Sequence, residues 1–369
     1  MKIQYILSAL LCLCLLIAPA AAAGGAGTAS NPYIIQTPAE LQSIANDLSA
    51  YYVLGNDINM DGFSFTPIGS TASPFFGSLD GQGYTISNLN INLPSTQYVG
   101  LFGVITAGTT IKNLKFADCT ISGAANTGTL YGRCIGISGV STPFDIDNID
   151  VERCTVTSNS NFVGGITGAH ASAAVGTLSN CNVVSCAVSS TSSHSVGGIA
   201  GTLAYSQATN VTVMDCLVDD CYIWSNNNYI GGIAGTLAHS QAQGYAIRNT
   251  VRDCVIESTS RYYVGGIAGA LTYSQAQGYA NENIVENCVI TCATSAGGIA
   301  GYLADSQAQG YANENIVENC TVKASFSYAG GIAGCSYAPG FGSIENCAVS
   351  NTTVLASGYA GGICSTFTR

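Results

Sequence analysis

An internal repeat of 31 to 34 residues constrains this chain more than any other feature. Each copy carries a glycine pair in a run such as VGGIAG, followed by a run of the type Asn/Asp-Cys-x-Val/Ile. The pairs begin at Gly164, Gly197, Gly231, Gly265, Gly297, Gly330 and Gly361, and degenerate copies precede them at Gly100 and Gly132. A unit this short cannot bury its apolar residues alone, so the copies are expected to stack as a solenoid.

The composition of the repeat favours strands over helices. Glycine pairs and β-branched residues are frequent, and the repeat has no helical apolar period. The Cys and the β-branched residue two positions later lie on one face of a strand. The preceding Asn or Asp tolerates a left-handed backbone, which suits a corner. We therefore predict an all-β, parallel β-solenoid with two or three short strands per coil, internal Cys, Val and Ile ladders, and Asn ladders at the corners.

The N-terminal part of the chain differs from the repeats. Residues 1–23 contain Lys2, an apolar run and a stretch of Ala, which indicates a secretory signal peptide and an exported protein. Residues 24–95 are interpreted as a helical cap with the first coils, and residues 96–369 as the repeat region. No later apolar run has membrane length, so no membrane span is expected in the mature chain.

A short amphipathic helix is predicted near residue 40. Thr37 can act as the N-cap, Pro38 suits the first helical position, and Glu40 completes a capping box. We expect this helix to cover the N-terminal end of the solenoid. The C-terminal repeat has no comparable segment, so an open end that could pair with another chain is expected there.

The net charge argues against two classes of partner. With 10 Lys and Arg against 21 Asp and Glu, nucleic acid and anionic membranes are unfavourable partners.

Cysteines recur once or twice per repeat, and two interpretations stay open: buried free thiols in a column, or disulfides between close pairs. The candidate pairs are Cys181 with Cys186, Cys216 with Cys221, and Cys288 with Cys292.

The segments YIIQTPAELQSIANDLSAYYVLGNDINM, PIGS, PFFGSLDGQGYTISNL and VGLFG, followed by VGGIAG and IENC repeats, resemble the GLUG-motif surface proteins. These are secreted bacterial and archaeal chains whose β-helical repeats also occur ahead of an IgA-cleaving metallopeptidase domain. The resemblance implies a right-handed parallel β-helix at the cell surface, often adhesin-like. It implies no single activity.

Catalytic and metal-binding motifs are weak. The three histidines, His170, His194 and His239, form no HExxH motif, so the peptidase part of that family is not expected here. His239 takes a position held by Tyr205, Tyr273 and Asp305 in other repeats, and we interpret a position that varies so freely as loop surface. No cofactor is expected.

One segment resembles the first half of a calcium loop. Asp57, Asn59 and Asp61 have the required spacing, but Ile68 stands where the bidentate glutamate belongs. A strand that ends in a turn at Asp61-Gly62 explains the pattern better.

Recognition is the favoured function. The sequence SQAQGY occurs three times, and stacked coils would place its glutamines and tyrosines in rows. The candidate binding residues are Gln241, Tyr245, Gln275, Tyr279, Gln307 and Tyr311. Tyrosine suits glycan or protein partners, although the rings could merely pack over the coil corners. We predict an adhesin-like, non-enzymatic surface protein that binds a glycan or cell-surface protein through these loops; the alternatives are self-association through the open end and polysaccharide cleavage.

Overall fold

The structure is a computed structural model that describes residues 24–135, 142–171, 174–191, 194–226, 228–259, 262–305, 307–336 and 342–366. The predicted signal peptide lies outside these residues. The described chain is an all-β parallel solenoid, as predicted. Equivalent glycines such as Gly231 and Gly265 pair in register between coils that are 32 to 34 residues apart.

Four parallel sheets run along the solenoid, here called sheets I to IV. Sheet I contains the 19 strands Tyr33–Ile35, Tyr51–Leu54, Ile58–Asn59, Ser78–Asp80, Thr85–Ser87, Thr110–Ala117, Phe144–Glu152, Gly176–Ser179, Asn182–Val184, Val211–Met214, Leu217–Asp219, Gln243–Ile247, Thr250–Arg252, Gln277–Asn281, Ile284–Glu286, Gln309–Asn313, Ile316–Glu318, Gly342–Glu345 and Ala348–Ser350. Sheet II contains the nine strands Asn90–Asn92, Thr120–Gly123, Thr155–Ser158, Ala187–Ser190, Tyr222–Ser225, Val255–Ser258, Val289–Cys292, Thr321–Ala324 and Thr353–Ala356.

The other two sheets carry the glycine-rich runs. Sheet III contains the seven strands Val163–Gly164, Ser195–Gly197, Tyr229–Gly231, Tyr263–Gly265, Ser295–Gly297, Tyr328–Gly330 and Tyr359–Gly361. Sheet IV contains the eight strands Phe102–Thr106, Tyr131–Ile135, Thr167–Ala171, Ala200–Tyr205, Ala234–His239, Ala268–Tyr273, Ala300–Tyr302 and Ala333–Cys335. Each pairing between these strands is parallel.

A regular coil holds five short strands, not the predicted two or three. One coil runs from Ala234–His239 in sheet IV through Gln243–Ile247 and Thr250–Arg252 in sheet I to Val255–Ser258 in sheet II. It then enters sheet III at Tyr263–Gly265. The predicted number of strands per coil is too low because it counts only the strands next to the glycine pair and the Cys run.

Left-handed residues separate the strands. The Asn or Asp before a corner Cys has this conformation, as predicted: φ is 53° at Asp253, 55° at Asn287 and 54° at Asn319. The corner between the two strands of sheet I also uses it, at Arg248 (φ 53°) and Glu282 (φ 59°). Asn180 (φ 52°) and Asp215 (φ 55°) hold this corner in the preceding coils, whereas Arg and Glu rarely adopt the conformation.

A column of buried cysteines follows one corner inside the solenoid. Its members are Cys119, Cys154, Cys186, Cys221, Cys254, Cys288 and Cys320. In this column the backbone N–H of Cys186 donates to Sγ of Cys221 in the next coil (3.4 Å), and that thiol donates to the carbonyl of Asp219 (3.2 Å). The thiols therefore pack as small apolar groups and also form hydrogen bonds with the backbone at the corner.

The predicted disulfide pairs are not joined in the structure, in which the cysteines at Cys181, Cys186, Cys216, Cys221, Cys288 and Cys292 are free thiols. The members of each pair belong to different columns. The N–H of Cys181 donates to Sγ of Cys216 (3.4 Å) at one corner, while Cys186 faces Cys221 at the next. Cys288 belongs to the seven-membered column, whereas Cys292 ends a sheet II strand.

An asparagine ladder continues the column of Cys181 and Cys216 through three coils. Asn249, Asn283 and Asn315 are fully buried. Asn283 accepts from the backbone N–H and the Nδ2 of Asn249 (3.0 Å each), and its own Nδ2 donates to Oδ1 of Asn315 (3.0 Å). Asn ladders are predicted at the corners, and this ladder lies at a corner, in the position that Cys181 and Cys216 hold in earlier coils.

The N-terminal segment contains the helix Pro38–Ser43, followed by a 3-10 turn at Ile44–Asn46. Thr37 and Glu40 form the capping box. Leu41 is buried in the main core. Within the described part of the chain, no helix has the length and apolarity needed to cross a membrane.

Candidate functional site

The three predicted tyrosines form a ladder on the outer face of sheet I. Tyr245, Tyr279 and Tyr311 pair in register on adjacent strands. Their ring centroids are 4.8 and 4.9 Å apart, and neighbouring rings are tilted by only 6° and 9°. Burial and the neighbouring phenols raise the pKa of Tyr279. We call these three residues the tyrosine ladder.

The glutamines of the same segments form ladders too. Gln241 Nε2 donates to Gln275 Oε1 (3.2 Å), and Gln275 Nε2 donates to Gln307 Oε1 (3.0 Å). A second row begins where Gln243 donates to Gln277 (3.1 Å), whose oxygen also accepts from the hydroxyl of Tyr279. The six predicted residues therefore form two separate rows, one of tyrosines and one of glutamines. The hydroxyls of Tyr279 and Tyr311 donate to Gln277 and Gln309, which are not among the six.

The tyrosines lie in strands, not in projecting loops as predicted. Gln277–Asn281 and its equivalents belong to sheet I, and the tyrosine rings are half-buried. Both faces of Tyr279 are covered by neighbouring rings at stacking distance. A ligand can therefore reach ring edges and hydroxyls along the ladder, and ring faces only at its two ends.

A second aromatic array lies between sheets III and IV. It encloses a cavity of about 370 Å³, here called the aromatic groove. Its lining residues are Asn161, Phe162, His194, Ser195, Tyr205, Asn228, Tyr229, His239 and Tyr273. No motif in the sequence marks this set as a site.

The sheet IV wall of the groove is a stack of rings in register. His239 lies between Tyr205 (5.0 Å between centroids) and Tyr273 (5.1 Å). The interpretation of His239 as loop surface is therefore wrong, because the residue ends the strand Ala234–His239 and is partly buried. Burial and the proximity of His194 lower its pKa.

The sheet III wall combines aromatic and polar groups. Tyr229 stacks on Tyr263 at 5.6 Å and also contacts Tyr273 across the groove at 6.0 Å. Asn228 Nδ2 lies 2.9 Å from His194 Nδ1. The Oδ1 atom of Asn228 is buried and has no hydrogen-bond partner among the described residues.

The two walls meet in a tight backbone contact. A Cβ at Gly235 of sheet IV would lie only 2.4 Å from the backbone nitrogen of Val196 in sheet III. Beside it, the hydroxyls of Ser195 and Thr236 are 2.9 Å apart. A glycine at this position therefore allows the sheets to close the base of the groove.

The calcium candidates do not converge on a common point. Asp57 Oδ1 accepts from the N–H of Thr85 (2.8 Å), whereas Asn59 Oδ1 accepts from the N–H of Asp61 (3.0 Å). The strand Ile58–Asn59 ends in a turn at residues 61–62, as the preferred interpretation predicted. Among the residues that the structure describes, no group of three or more His, Cys, Asp or Glu could hold a metal ion.

His170 lies inside the solenoid, away from the groove. It is fully buried, its Nε2 is 2.5 Å from the hydroxyl of Tyr131, and its ring stacks on Phe144 at 4.9 Å. Burial lowers its pKa to about 3. The side chain is therefore neutral in the folded protein and acts as a core residue.

This burial makes the stability depend on pH. The unfolded chain binds a proton on His170 below about pH 6.5, whereas the folded chain binds it only near pH 3. The contribution of neutral, buried His170 to the free energy of unfolding is therefore complete above pH 6.5. Below that pH the free energy of unfolding falls by up to about 1.4 kcal/mol per pH unit. Denaturant unfolding of His170→Leu between pH 6.5 and 5 should lack that slope, and equal slopes in the two proteins would contradict this assignment.

Comparisons with known proteins give only partial matches. No family model matches the chain. A segment of 141 residues is 36% identical to a "Putative Gly-rich membrane protein" of Evansella cellulosilytica, and 129 residues are 37% identical to halomucin of Haloquadratum walsbyi. These segments cover 35% and 30% of this chain, which spans 15% and 1% of those relatives.

Solved structures align over most of the chain. A "putative immunoglobulin A1 protease" from Bacteroides ovatus aligns over 93% of this chain and 86% of its own, with 18% identity and a TM-score of 0.47. The assignment of the solenoid fold rests on the strand pairing described above.

Proposed function

We propose that this chain is an exported recognition protein at the cell surface, which binds a glycan or a protein partner along the side of its solenoid and catalyses no reaction. The observation that carries the proposal is the aromatic groove. It combines exposed ring edges, side-chain amides and imidazoles with a buried amide oxygen, Asn228 Oδ1, that has no partner in the described chain. Convergent polar groups in a largely aromatic concavity are typical of binding sites.

The proposed location has separate support. The sequence predicts a signal peptide, and the local similarities are to a Gly-rich membrane protein and to halomucin. In the same proposal the solenoid is right-handed and the helix Pro38–Ser43 covers its N-terminal end. The tyrosine ladder stays a predicted contact surface, which would bind through ring edges and hydroxyls.

A binding array tests the proposal. The mature chain is applied to immobilised glycans and host-surface proteins, together with a Tyr245→Ala/Tyr279→Ala/Tyr311→Ala variant and a Tyr205→Ala/Tyr273→Ala variant. We expect saturable binding that the groove variant loses by at least about tenfold, since aromatic residues dominate such interfaces. Loss only in the ladder variant would move recognition to the ladder.

Two alternatives are checked on the same material. Release of reducing or unsaturated ends from polysaccharides would support cleavage. Light scattering that shows concentration-dependent oligomers would support self-association, and a charged C-terminal extension should then reduce it. Absence of any bound glycan or protein would contradict the proposal.

A further inference from the structure

We propose that the aromatic groove binds a segment of an uncharged oligosaccharide, and that Asn228 Oδ1 accepts a hydrogen bond from one of its hydroxyl groups. This inference rests on the proposed function and specifies its site and ligand class.

The shape of the groove favours a chain-like ligand that runs along the solenoid. One wall is formed by Tyr205, His239 and Tyr273, which occupy the same register in three successive coils. Coils stack at about 4.8 Å, so three rows give a lined length of about 10 Å. The cavity of about 370 Å³ lies in the size range of small-ligand sites.

The chemistry of the lining favours an uncharged ligand. No Asp, Glu, Lys or Arg lines the groove in the described part of the chain. An anionic ligand would lose hydration there without gaining an opposite charge. Sugars instead present hydroxyls for the amide and imidazole groups and apolar C–H surfaces that can pack against the exposed ring edges of the stacked wall. The lowered pKa of His239 keeps that ring uncharged near neutral pH.

A specific atom is poised for a ligand hydroxyl. Asn228 Oδ1 is buried without a partner in the described structure, while its Nδ2 is held by His194 Nδ1 at 2.9 Å. A buried amide oxygen left unpaired is destabilising, and a bound hydroxyl would satisfy it.

The backbone of the groove argues against an extended peptide. The sheet III strand Tyr229–Gly231 pairs on one side with Ser195–Gly197 and on the other with Tyr263–Gly265. Its backbone N–H and C=O groups are therefore already hydrogen-bonded to the two neighbouring strands. An extended peptide commonly binds by adding a strand to a free sheet edge, and this wall offers no such edge.

The test uses the mature chain and defined probes. The neutral probes are cello-, malto-, manno- and galacto-oligosaccharides; the charged probes are oligogalacturonate and heparin-derived oligosaccharides, with an unstructured peptide library alongside. We expect a neutral oligosaccharide to bind, and His239→Ala and Asn228→Ala each to weaken it by about 10- to 30-fold.

His239→Tyr is the matched control for folding. Tyrosine occupies this register position in both neighbouring coils, at Tyr205 and Tyr273, so the stack is preserved. We expect binding within about threefold of the unmodified chain, because the aromatic wall is retained.

The outcomes separate the two proposals. Charged glycans or peptides that bind in the groove, or neutral glycans that His239→Ala does not affect, would overturn this inference and leave the proposed function standing. A chain that binds no glycan and no host-surface protein overturns both.

Discussion

Gly232→Ala is expected to destabilise the solenoid by about 3 kcal/mol or more, since it overpacks a rigid contact. A Cβ at Gly232 would lie 2.1 Å from the carbonyl oxygen of Gly266 in the next coil and 2.7 Å from Val251 Cγ1. The first of these neighbours is backbone, so relief requires the two coils to separate. Thermal unfolding followed by circular dichroism measures the effect.

The repeat supplies a matched control at the same motif position. Gly362 occupies the equivalent place in the run AGGIC, but a Cβ there meets no atom within 4 Å. Gly362→Ala should therefore change stability by no more than about 0.5 kcal/mol. Equal melting of Gly232→Ala and the unmodified chain would show that the coils tolerate wider spacing than the structure has.

Asn283→Ala should cost about 3–5 kcal/mol, because it removes the central member of the asparagine ladder. The substitution leaves the backbone N–H of Asn249 without its acceptor and removes one of the two acceptors of Asn249 Nδ2, which keeps the carbonyl of Val213. It also deprives the carbonyl of Ala246 of a donor at 3.0 Å. Each buried group left unpaired costs about 1–3 kcal/mol. Denaturant unfolding gives the free-energy change.

The ladder itself indicates the best replacement. Cysteine occupies the same column at Cys216 and Cys347. The Sγ of Cys347 accepts a hydrogen bond from the backbone N–H of Asn315 (3.4 Å), and the same thiol donates to the carbonyl of Ala312 (3.2 Å). Asn283→Cys should therefore lose less than half as much stability as Asn283→Ala. Equal losses would mean that the thiol does not replace the amide at this corner.

The sequence predicted the solenoid because its strongest signals are local and repeated. The spacing alone predicts that Cys254 and Ile256 lie on one face of a strand and that Asp253 has a left-handed backbone. The number of strands does not follow, because one motif occurs at two different corners: Asn180-Cys181 lies between the two strands of sheet I, whereas Asp253-Cys254 lies between sheets I and II.

The candidate site was only partly predictable. The tyrosine ladder follows from three identical segments, but the stacking that covers its ring faces depends on how the side chains turn in the finished coils. The aromatic groove joins residues of different strands and different coils, such as Phe162 and Tyr205, at 5.4 Å between centroids. Tyr205, His239 and Tyr273 are aromatic at one repeat position, which is a signal for a stack, but Asp305 at the same position of the next repeat makes the position look variable.

Hydrogen–deuterium exchange with and without a bound neutral oligosaccharide tests the central claim most directly. The account predicts slower exchange in the strands that line the aromatic groove, Ser195–Gly197, Tyr229–Gly231 and Ala234–His239, with unchanged exchange in Gln277–Asn281. Protection confined to the strands of the tyrosine ladder would contradict it.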